Sequence, residues 1–208
     1  MFKSEKDLVE HLIVFLQERF NTEYIVRELQ SGNNIADIVY SEKLNRKSII
    51  FDEYFNAYYY FNDIYNRKKI PLAEIKSDNK TINTKIRRFL RDLEEQGYII
   101  IKDDYIDVVK KVDAVSKKIV AIEAKLSDWK AGLEQAYRYK NYADEVYVAL
   151  SSDSIKNVDK SKFKELNIGL MSVSDNKLTI SIRAKKEKVP NKDVQFFMAD
   201  KFLKQLQL

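Results

Sequence analysis

Three charged residues lie inside apolar, β-prone segments, where an unpaired charge would be energetically costly. Asp37 lies in the segment IADIV, and Glu123 and Lys125 lie in the segment IVAIEAK. Because side chains alternate between the two faces of a strand, Glu123 and Lys125 project to the same side. Charges in such surroundings are costly unless they pair with each other or the carboxylate binds a metal ion. Oxygen ligands without cysteine or histidine suit Mg²⁺ or Mn²⁺ rather than zinc.

Two alternatives remain open for these residues. Glu123 and Lys125 could form a salt bridge on a solvated sheet face and have no catalytic role. Asp113, in the segment VDAV ten residues before Glu123, would replace Asp37 as the strand acid if a direct hairpin joined the two segments. We favour Asp37, because it lies inside an apolar, β-branched run, whereas Asp113 follows two lysines at a strand edge.

The composition excludes several kinds of site. The chain has 208 residues with no cysteine and one histidine, so thiolate zinc sites, cysteine nucleophiles, disulfide scaffolds and histidine-rich metal sites are excluded. Hydrophobic residues make up 45% and charged residues 33% of the chain, which is typical of a folded globular protein. No apolar run could span a bilayer or serve as a signal peptide. We therefore expect a cytoplasmic protein with no membrane contact.

Helical and strand periodicities alternate along the chain. Ser4 is expected to cap the first helix, Asp128 and Trp129 to open a later one, and Pro190 to begin the last one. The predicted helices cover 6–20, 128–142, 163–166 and the stretch after Pro190. The predicted strands cover 24–29, 35–40, 118–125, 145–150, 168–173 and 177–182.

The segment 51–65 is rich in phenylalanine and tyrosine at helical spacing. Such a stripe is most often part of a core or an interface, and base stacking is the alternative interpretation. We predict a helix here with an apolar face.

A second group of signals follows this aromatic segment. Pro71 is expected to open a short helix and Thr81 to cap a longer one that Gly97 ends. The segments 98–101 and 105–109 then have the pattern of a β-hairpin. This order of elements resembles a winged helix-turn-helix, a module whose second helix enters the major groove of DNA.

The longer helix carries a basic face beside its apolar face. Between Tyr65 and Lys111 there are twelve basic and eight acidic residues, so this segment holds most of the chain's net charge of +5. An excess of positive charge in one module indicates binding to a polyanion. The candidate DNA-binding residues off the apolar face are Lys80, Asn83, Thr84, Arg87, Arg88 and Arg91.

Asp37 followed by Glu123-x-Lys125, in an α-β-β-β-α-β frame of predicted elements, resembles the PD-(D/E)XK, or restriction endonuclease-like, nuclease superfamily. The opening SEKDLVEHL, with Arg27, Ser31-Gly32 and Ala36-Asp37, is similar to the start of Holliday-junction resolvases. Gln135 and Tyr139 look like the Gln-x-x-x-Tyr element of RecB-like members. The resemblance covers roughly residues 4–41 and 112–150.

The resemblance implies a role for each matching residue. Asp37, Glu123 and the carbonyl of Ala124 would hold Mg²⁺ or Mn²⁺. Lys125 would orient the attacking water or stabilise the developing negative charge. Gln135 and Tyr139 would steady the surroundings of the metal, and Glu5 matches the acid that these families carry on the first helix. Glu10 projects to the opposite helical face and is a poorer candidate.

We therefore predict an α/β fold with a restriction endonuclease-like mixed sheet flanked by helices and an inserted winged helix-turn-helix. The predicted segments are 1–49 and 112–185 for the nuclease core, 50–111 for the insert and 186–208 for a C-terminal helix. The expected function is Mg²⁺-dependent DNA endonuclease activity, the hydrolysis of a phosphodiester bond.

Other functions and partners remain open. The chain could be a non-catalytic DNA-binding regulator built on a nuclease-like frame. The winged helix could instead dock a protein partner in a defence or mobile-element complex. The last helix could form a homodimer contact or cover the sheet.

Overall fold

The computed structural model describes residues 2–45, 67–112 and 114–206, which fall into two compact units. The larger unit comprises residues 1–45 and 115–208, and the smaller unit comprises residues 46–114. The aromatic segment 51–65 and the rival acid Asp113 lie outside the described residues. No described helix has both the length and the apolar character needed to cross a membrane.

Helices and strands alternate in the described parts of the chain. The helices are α1 (Glu5–Phe20), α2 (Lys80–Glu95), α3 (Trp129–Tyr139), α4 (Lys160–Glu165) and α5 (Lys192–Leu206). The strands are β1 (Ile25–Ser31), β2 (Asn34–Tyr40), β3 (Lys69–Pro71), β4 (Ile99–Ile101), β5 (Tyr105–Val108), β6 (Val120–Lys125), β7 (Glu145–Ser151), β8 (Gly169–Ser174) and β9 (Lys177–Ile182). Two 3₁₀ helices cover Leu72–Glu74 and Ser152–Asn157.

The larger unit is built on a mixed sheet of six described strands in the order β1-β2-β6-β7-β8-β9. The β1–β2 hairpin pairs antiparallel with β6, and β6, β7 and β8 run parallel because α3 and α4 provide the crossovers. The last strand, β9, returns antiparallel to β8. The prediction of an α/β fold with a mixed sheet flanked by helices is thus confirmed.

The apolar stripe of α1 packs on one face of this sheet. Leu8, Leu12 and Leu16 are completely buried and lie in one cluster with Ile38 and Ile122. On the other face α3 lies against β6, where Gly132 approaches the stem of Lys125. The residues of β6 that face α1 are therefore apolar, while Glu123 and Lys125 lie on the α3 side.

The C-terminal helix α5 lies along β1. Lys201 Nζ donates to the carbonyl of Gln30 at 3.0 Å, and Gln205 Nε2 donates to the carbonyl of Arg27 at 2.5 Å. These side chains satisfy carbonyl groups on an outer strand of the sheet, groups that otherwise invite pairing with another chain. The helix begins at Lys192, two residues after Pro190, with the Asn191 side chain accepting from the Asp193 and Val194 amides.

The smaller unit combines α2 with an antiparallel sheet in the order β3-β5-β4. Ile86, Phe89, Leu90 and Leu93 of α2 are buried, as the apolar pattern predicts. The hairpin of β4 and β5 is present at the expected position. These buried residues fix which face of α2 points outward.

Two predictions about this unit are wrong in detail. Pro71 does not open an ordinary helix, because it ends β3 and precedes a single 3₁₀ turn. Thr81 is not the cap of α2, because the Asn79 side chain accepts from the amides of Thr81 and Ile82 at 2.9 and 3.3 Å. Asparagine is among the best N-cap residues, and its position one residue before the helix satisfies those two amides.

Candidate functional site

Asp37 and Glu123 meet where β2 pairs with β6. Ile38 is in register with Ile122, so Asp37 and Glu123 are the next residues outward on the two strands. The next amide of β6, that of Ala124, donates to the side chain of Asp37 (Oδ2) at 2.7 Å instead of to a carbonyl of β2. The hydrogen bond fixes Asp37 beside the Glu-x-Lys segment.

The Glu123 carboxylate is held from both sides. Only 2% of the residue is exposed, and its Oε1 lies 2.9 Å from Lys125 Nζ. The hydroxyl of Tyr139 on α3 lies 2.5 Å from Glu123 Oε2 and 2.6 Å from the carbonyl of Ile35. A phenol has one proton, so this hydroxyl donates to one of these oxygens at a time. Tyr139 therefore ties α3 to both strands that carry the acids.

The first residue of α1 reaches the same place. Glu5 Oε2 lies 3.4 Å from Lys125 Nζ, so the ammonium stands between two carboxylates. Glu10, the poorer candidate from the same helix, forms an ion pair with Arg27 instead. The structure thus brings Glu5, Glu123 and Lys125 together and leaves Glu10 elsewhere.

Burial and mutual repulsion make the two acids resist ionisation. Burial raises the pKa of Glu123, and the negative charge of Asp37 adds to the increase. Burial likewise raises the pKa of Asp37, with further contributions from Glu5 and Glu28. Such shifts are typical of carboxylates placed to receive a cation.

Lys125 is kept in its charged form. Burial alone would lower the pKa of this ammonium, but the hydrogen bond and the charge of Glu123, together with Glu5 and Asp37, raise it above the ordinary value. Burial raises the pKa of the Tyr139 hydroxyl, and its hydrogen bond to Glu123 adds to this. At neutral pH Lys125 is therefore an ammonium donor and Tyr139 is a neutral phenol.

Gln135 lies one helical turn before Tyr139 and on the same face of α3. Its side-chain oxygen is buried and has no hydrogen-bond partner within the described part of the chain. Buried acceptors are normally satisfied by protein or by ordered water. An unpaired amide oxygen one turn from the Glu123 contact is available to a water molecule or a ligand at this site.

Sequence reasoning missed Glu28 on β1. The neighbouring pairs Arg27–Ile38 and Leu29–Ala36 place Glu28 opposite Asp37, and Glu28 has a left-handed backbone with φ of 53°. Its charge contributes to the raised pKa of Asp37. No sequence signal identifies this residue, because its neighbour across the sheet depends on the hairpin register.

The donor set fits a hard divalent cation. Asp37 and Glu123 supply carboxylate oxygens. A third acidic, histidine or cysteine side chain does not join them, since the described residues include no group of three spaced to hold a metal. Mg²⁺ is commonly bound by one or two carboxylates, with the remaining positions filled by water and substrate phosphate. Two carboxylates and a main-chain carbonyl are therefore an adequate protein contribution for Mg²⁺ or Mn²⁺.

The candidate DNA-binding residues lie in the smaller unit. Lys80, Thr84, Arg87, Arg88 and Arg91 are exposed on α2. Arg91 lies 3.8 Å from Glu95, whereas Arg87 and Arg88 form no ion pair with any described residue. Asn83 is engaged locally, since its amide group accepts from the amide and donates to the carbonyl of Ser77. Lys80, Arg87 and Arg88 are thus exposed cations of this face with no ion pair among the described residues.

No protein-family model, no curated protein and no solved structure matches this chain. A function is therefore inferred from the residues and the contacts described above.

Proposed function

We propose that this protein is a Mg²⁺-dependent DNA endonuclease that hydrolyses phosphodiester bonds. The observation that carries the proposal is the convergence of Asp37, Glu123 and Lys125 where β2 meets β6. Two carboxylates that repel each other contribute little to the stability of the fold. Beside an ammonium they can bind a cation, while the ammonium can bind a phosphate.

The architecture supports a restriction endonuclease-like core in the larger unit. Helix α1 and the β1–β2 hairpin precede β6, and β6 continues through α3 into the parallel strand β7. The acids then come from two adjacent strands and the supporting tyrosine from the crossover helix. This is the order of elements expected from the resemblance of the sequence to PD-(D/E)XK nucleases.

The residues would divide the chemistry among them. Asp37, Glu123 and the Ala124 carbonyl would hold the cation, which when bound polarises the phosphate and lowers the pKa of a water molecule. Lys125 donates hydrogen bonds and stabilises negative charge as it grows on the phosphate oxygens. Tyr139 keeps the Glu123 carboxylate in position, and Gln135 offers its amide oxygen to a water molecule beside it.

The smaller unit would dock the substrate as a winged helix. Its three-stranded sheet, its hairpin and the outward basic face of α2 support this assignment. Arg87 and Arg88 are positioned to contact phosphates, which gives affinity without sequence information.

Cleavage of supercoiled plasmid with Mg²⁺ or Mn²⁺ tests the proposal. We expect Asp37→Asn, Glu123→Gln and Lys125→Ala each to reduce nicking at least about a hundredfold while leaving duplex binding intact. Asp37→Asn is the most informative variant, because asparagine can still accept from the Ala124 amide. Lys177→Ala removes an exposed lysine at the start of β9 and is the control. Full activity in all three site variants would exclude this catalytic assignment.

A second function is favoured by one observation. Both oxygens of Glu123 already have partners, Lys125 and Tyr139, so this carboxylate is fully hydrogen-bonded without a cation. A non-catalytic DNA-binding regulator would have the same contacts. Calorimetric titration with Mn²⁺ separates the two: heat that disappears in Glu123→Gln supports the nuclease, and the absence of heat supports the regulator.

A further inference from the structure

A groove on the outer side of α3 has not been used by the proposed mechanism. It has a volume of about 380 Å³ and lies between α3 and α4 of the larger unit. Its main lining residues are Trp129, Lys130, Leu133, Tyr137, Lys162 and Leu166. It therefore combines aromatic and aliphatic walls with lysines.

The two aromatic rings are presented in different ways. Trp129 packs against Phe163 of α4 with ring centroids 6.2 Å apart, and Phe163 is completely buried. Tyr137, two turns further along α3, is 53% exposed. One ring is thus fixed from behind by the core, and the other stands open to a ligand.

Positive charge surrounds these rings. The ammonium groups of Lys130 and Lys162 each lie 5.8 Å from the centre of the Trp129 ring. Lys140 lies 5.8 Å from the centre of the Tyr137 ring, but it is paired with Glu187 at 2.8 Å. The acid in the lining, Glu134, is paired with Arg138 at 2.9 Å. The groove consequently has a positive potential beside the exposed ring of Tyr137 and the half-buried ring of Trp129.

The groove begins next to the candidate site. Trp129 follows Lys125 by only four residues, and a Cβ atom placed on Gly132 would lie 3.1 Å from Lys125 Cγ. The first turns of α3 therefore lie directly against the strand that carries Glu123 and Lys125. The groove lies on the face of α3 opposite Gln135 and Tyr139, so a strand of nucleic acid bound in it would reach the acids around the first turn of the helix, beside Lys125.

We propose that this groove binds single-stranded DNA, with unpaired bases stacked on Trp129 and Tyr137 and phosphates neutralised by Lys130 and Lys162. Aromatic faces within a positive groove are how proteins bind single strands without sequence preference. The bases of a duplex are already stacked on each other and cannot use these rings. Resting on the proposed function, the substrate would then be DNA with an unpaired stretch beside the scissile bond, such as a flap or an overhang.

The experiment uses Trp129 as its own reporter, since it is the only tryptophan of the chain. The full-length protein is titrated with oligothymidylate of about 15 nucleotides, near the upper limit of common site sizes, in EDTA so that no cleavage occurs. We expect saturable quenching of tryptophan fluorescence that weakens with salt. Duplex DNA of equal length should quench less.

Variants of the groove decide the result. Tyr137→Ala should weaken oligothymidylate binding at least about fivefold, the lower limit for losing one stacked base, whereas Tyr137→Phe should bind like wild type. Lys130→Ala with Lys162→Ala should also weaken it, and Lys177→Ala with Lys185→Ala, which removes the same charge elsewhere, should not. Absence of quenching, or equal binding by Tyr137→Ala and Tyr137→Phe, would overturn the proposal. So would fluorescence that changes with protein concentration alone, which would indicate that a second copy occupies the groove.

The experiments distinguish rejection of the groove proposal from rejection of the nuclease proposal. Groove-dependent binding without cleavage in Mn²⁺ would keep the groove and exclude the catalytic function. Cleavage that Asp37→Asn abolishes, with oligothymidylate binding indifferent to Tyr137→Ala, would keep the nuclease and exclude the groove.

Discussion

Asp37 and Glu123 are adjacent acids whose hydrogen bonds are made but whose two negative charges share one nearby cation, Lys125. Asp37 is half-buried and Glu123 is almost fully buried, and each has a raised pKa because of burial. Lys125 offsets part of the cost, and the Ala124 amide offsets another part. Two acids in this arrangement lower the stability of the ligand-free fold, as the proposed binding of a cation would require.

Asp37→Asn should therefore stabilise the protein in EDTA. The amide oxygen of asparagine keeps the hydrogen bond from Ala124, while the repulsion between Asp37 and Glu123 disappears. We expect the free energy of unfolding to rise by roughly 1 kcal/mol, within the range that relief of one unfavourable charge interaction commonly gives. Urea unfolding followed by circular dichroism measures it. Wild type, but not the variant, should gain further stability when Mg²⁺ is added.

Glu18→Gln is the control, because Glu18 is an exposed acid of α1 and its replacement removes the same charge. Its unfolding free energy should remain within about half a kcal/mol of wild type, as for ordinary surface substitutions. A loss of stability in Asp37→Asn would mean that the attraction between Asp37 and Lys125 outweighs the repulsion.

At the residue scale, alternation along a strand was enough to place Glu123 and Lys125 on one side, and they form an ion pair. The contact of the Tyr139 hydroxyl with the Ile35 carbonyl was not predictable, because it depends on how α3 crosses the sheet. The left-handed backbone of Glu28 has no sequence signal either, since glutamate rarely adopts it.

Among the elements, α2 depends on its first turn. Asn79 satisfies two amides there, and Asn83 holds the preceding loop through Ser77. The helix carries both the apolar face of the smaller unit and the basic face that we propose binds DNA. Loosening of the first turn would thus affect stability before it affects the arginines further along.

Asn79→Ala should destabilise the first turn of α2, whereas Thr81→Ala should have little effect. Losing a side-chain cap costs about 1 kcal/mol, which corresponds to a roughly fivefold loss of hydrogen-exchange protection for the first amides of the helix. Native-state hydrogen exchange measured on the full chain can localise the change. Equal effects of the two substitutions would contradict the assignment of Asn79 as the cap.

Long elements with a clear period were predictable, and short ones were not. Ser4 and Asp128 cap α1 and α3 as the sequence indicates. The three-residue strand β3 was missed, since so short a segment has no measurable period and Pro71 suggested a helix start. The true cap of α2 was misplaced by two residues because Asn79 and Thr81 are both favoured N-cap residues and lie two positions apart.

At the scale of the whole molecule, the main sheet depends on a pairing that no local pattern encodes. β2 and β6 are far apart in the sequence, yet Tyr40 pairs with Val120 and Ile38 with Ile122. Apolar patterns predicted both strands, but the register between them follows from packing against α1 and from the Asp37 hydrogen bond. The candidate site therefore exists only in the assembled larger unit.

The distribution of charge over the molecule gives a last prediction. If Arg87 and Arg88 each neutralise a phosphate, Arg87→Ala with Arg88→Ala should lower the slope of log binding constant against log salt by about 2, since each contact contributes roughly 0.9. Fluorescence anisotropy of a labelled duplex, measured in EDTA over a series of salt concentrations, provides the slope. Lys185→Ala with Lys188→Ala removes the same charge from the larger unit, where both lysines are exposed. This control should preserve the slope, because only contacts release counterions, and an equal decrease in both double variants would show that net charge rather than α2 determines duplex binding.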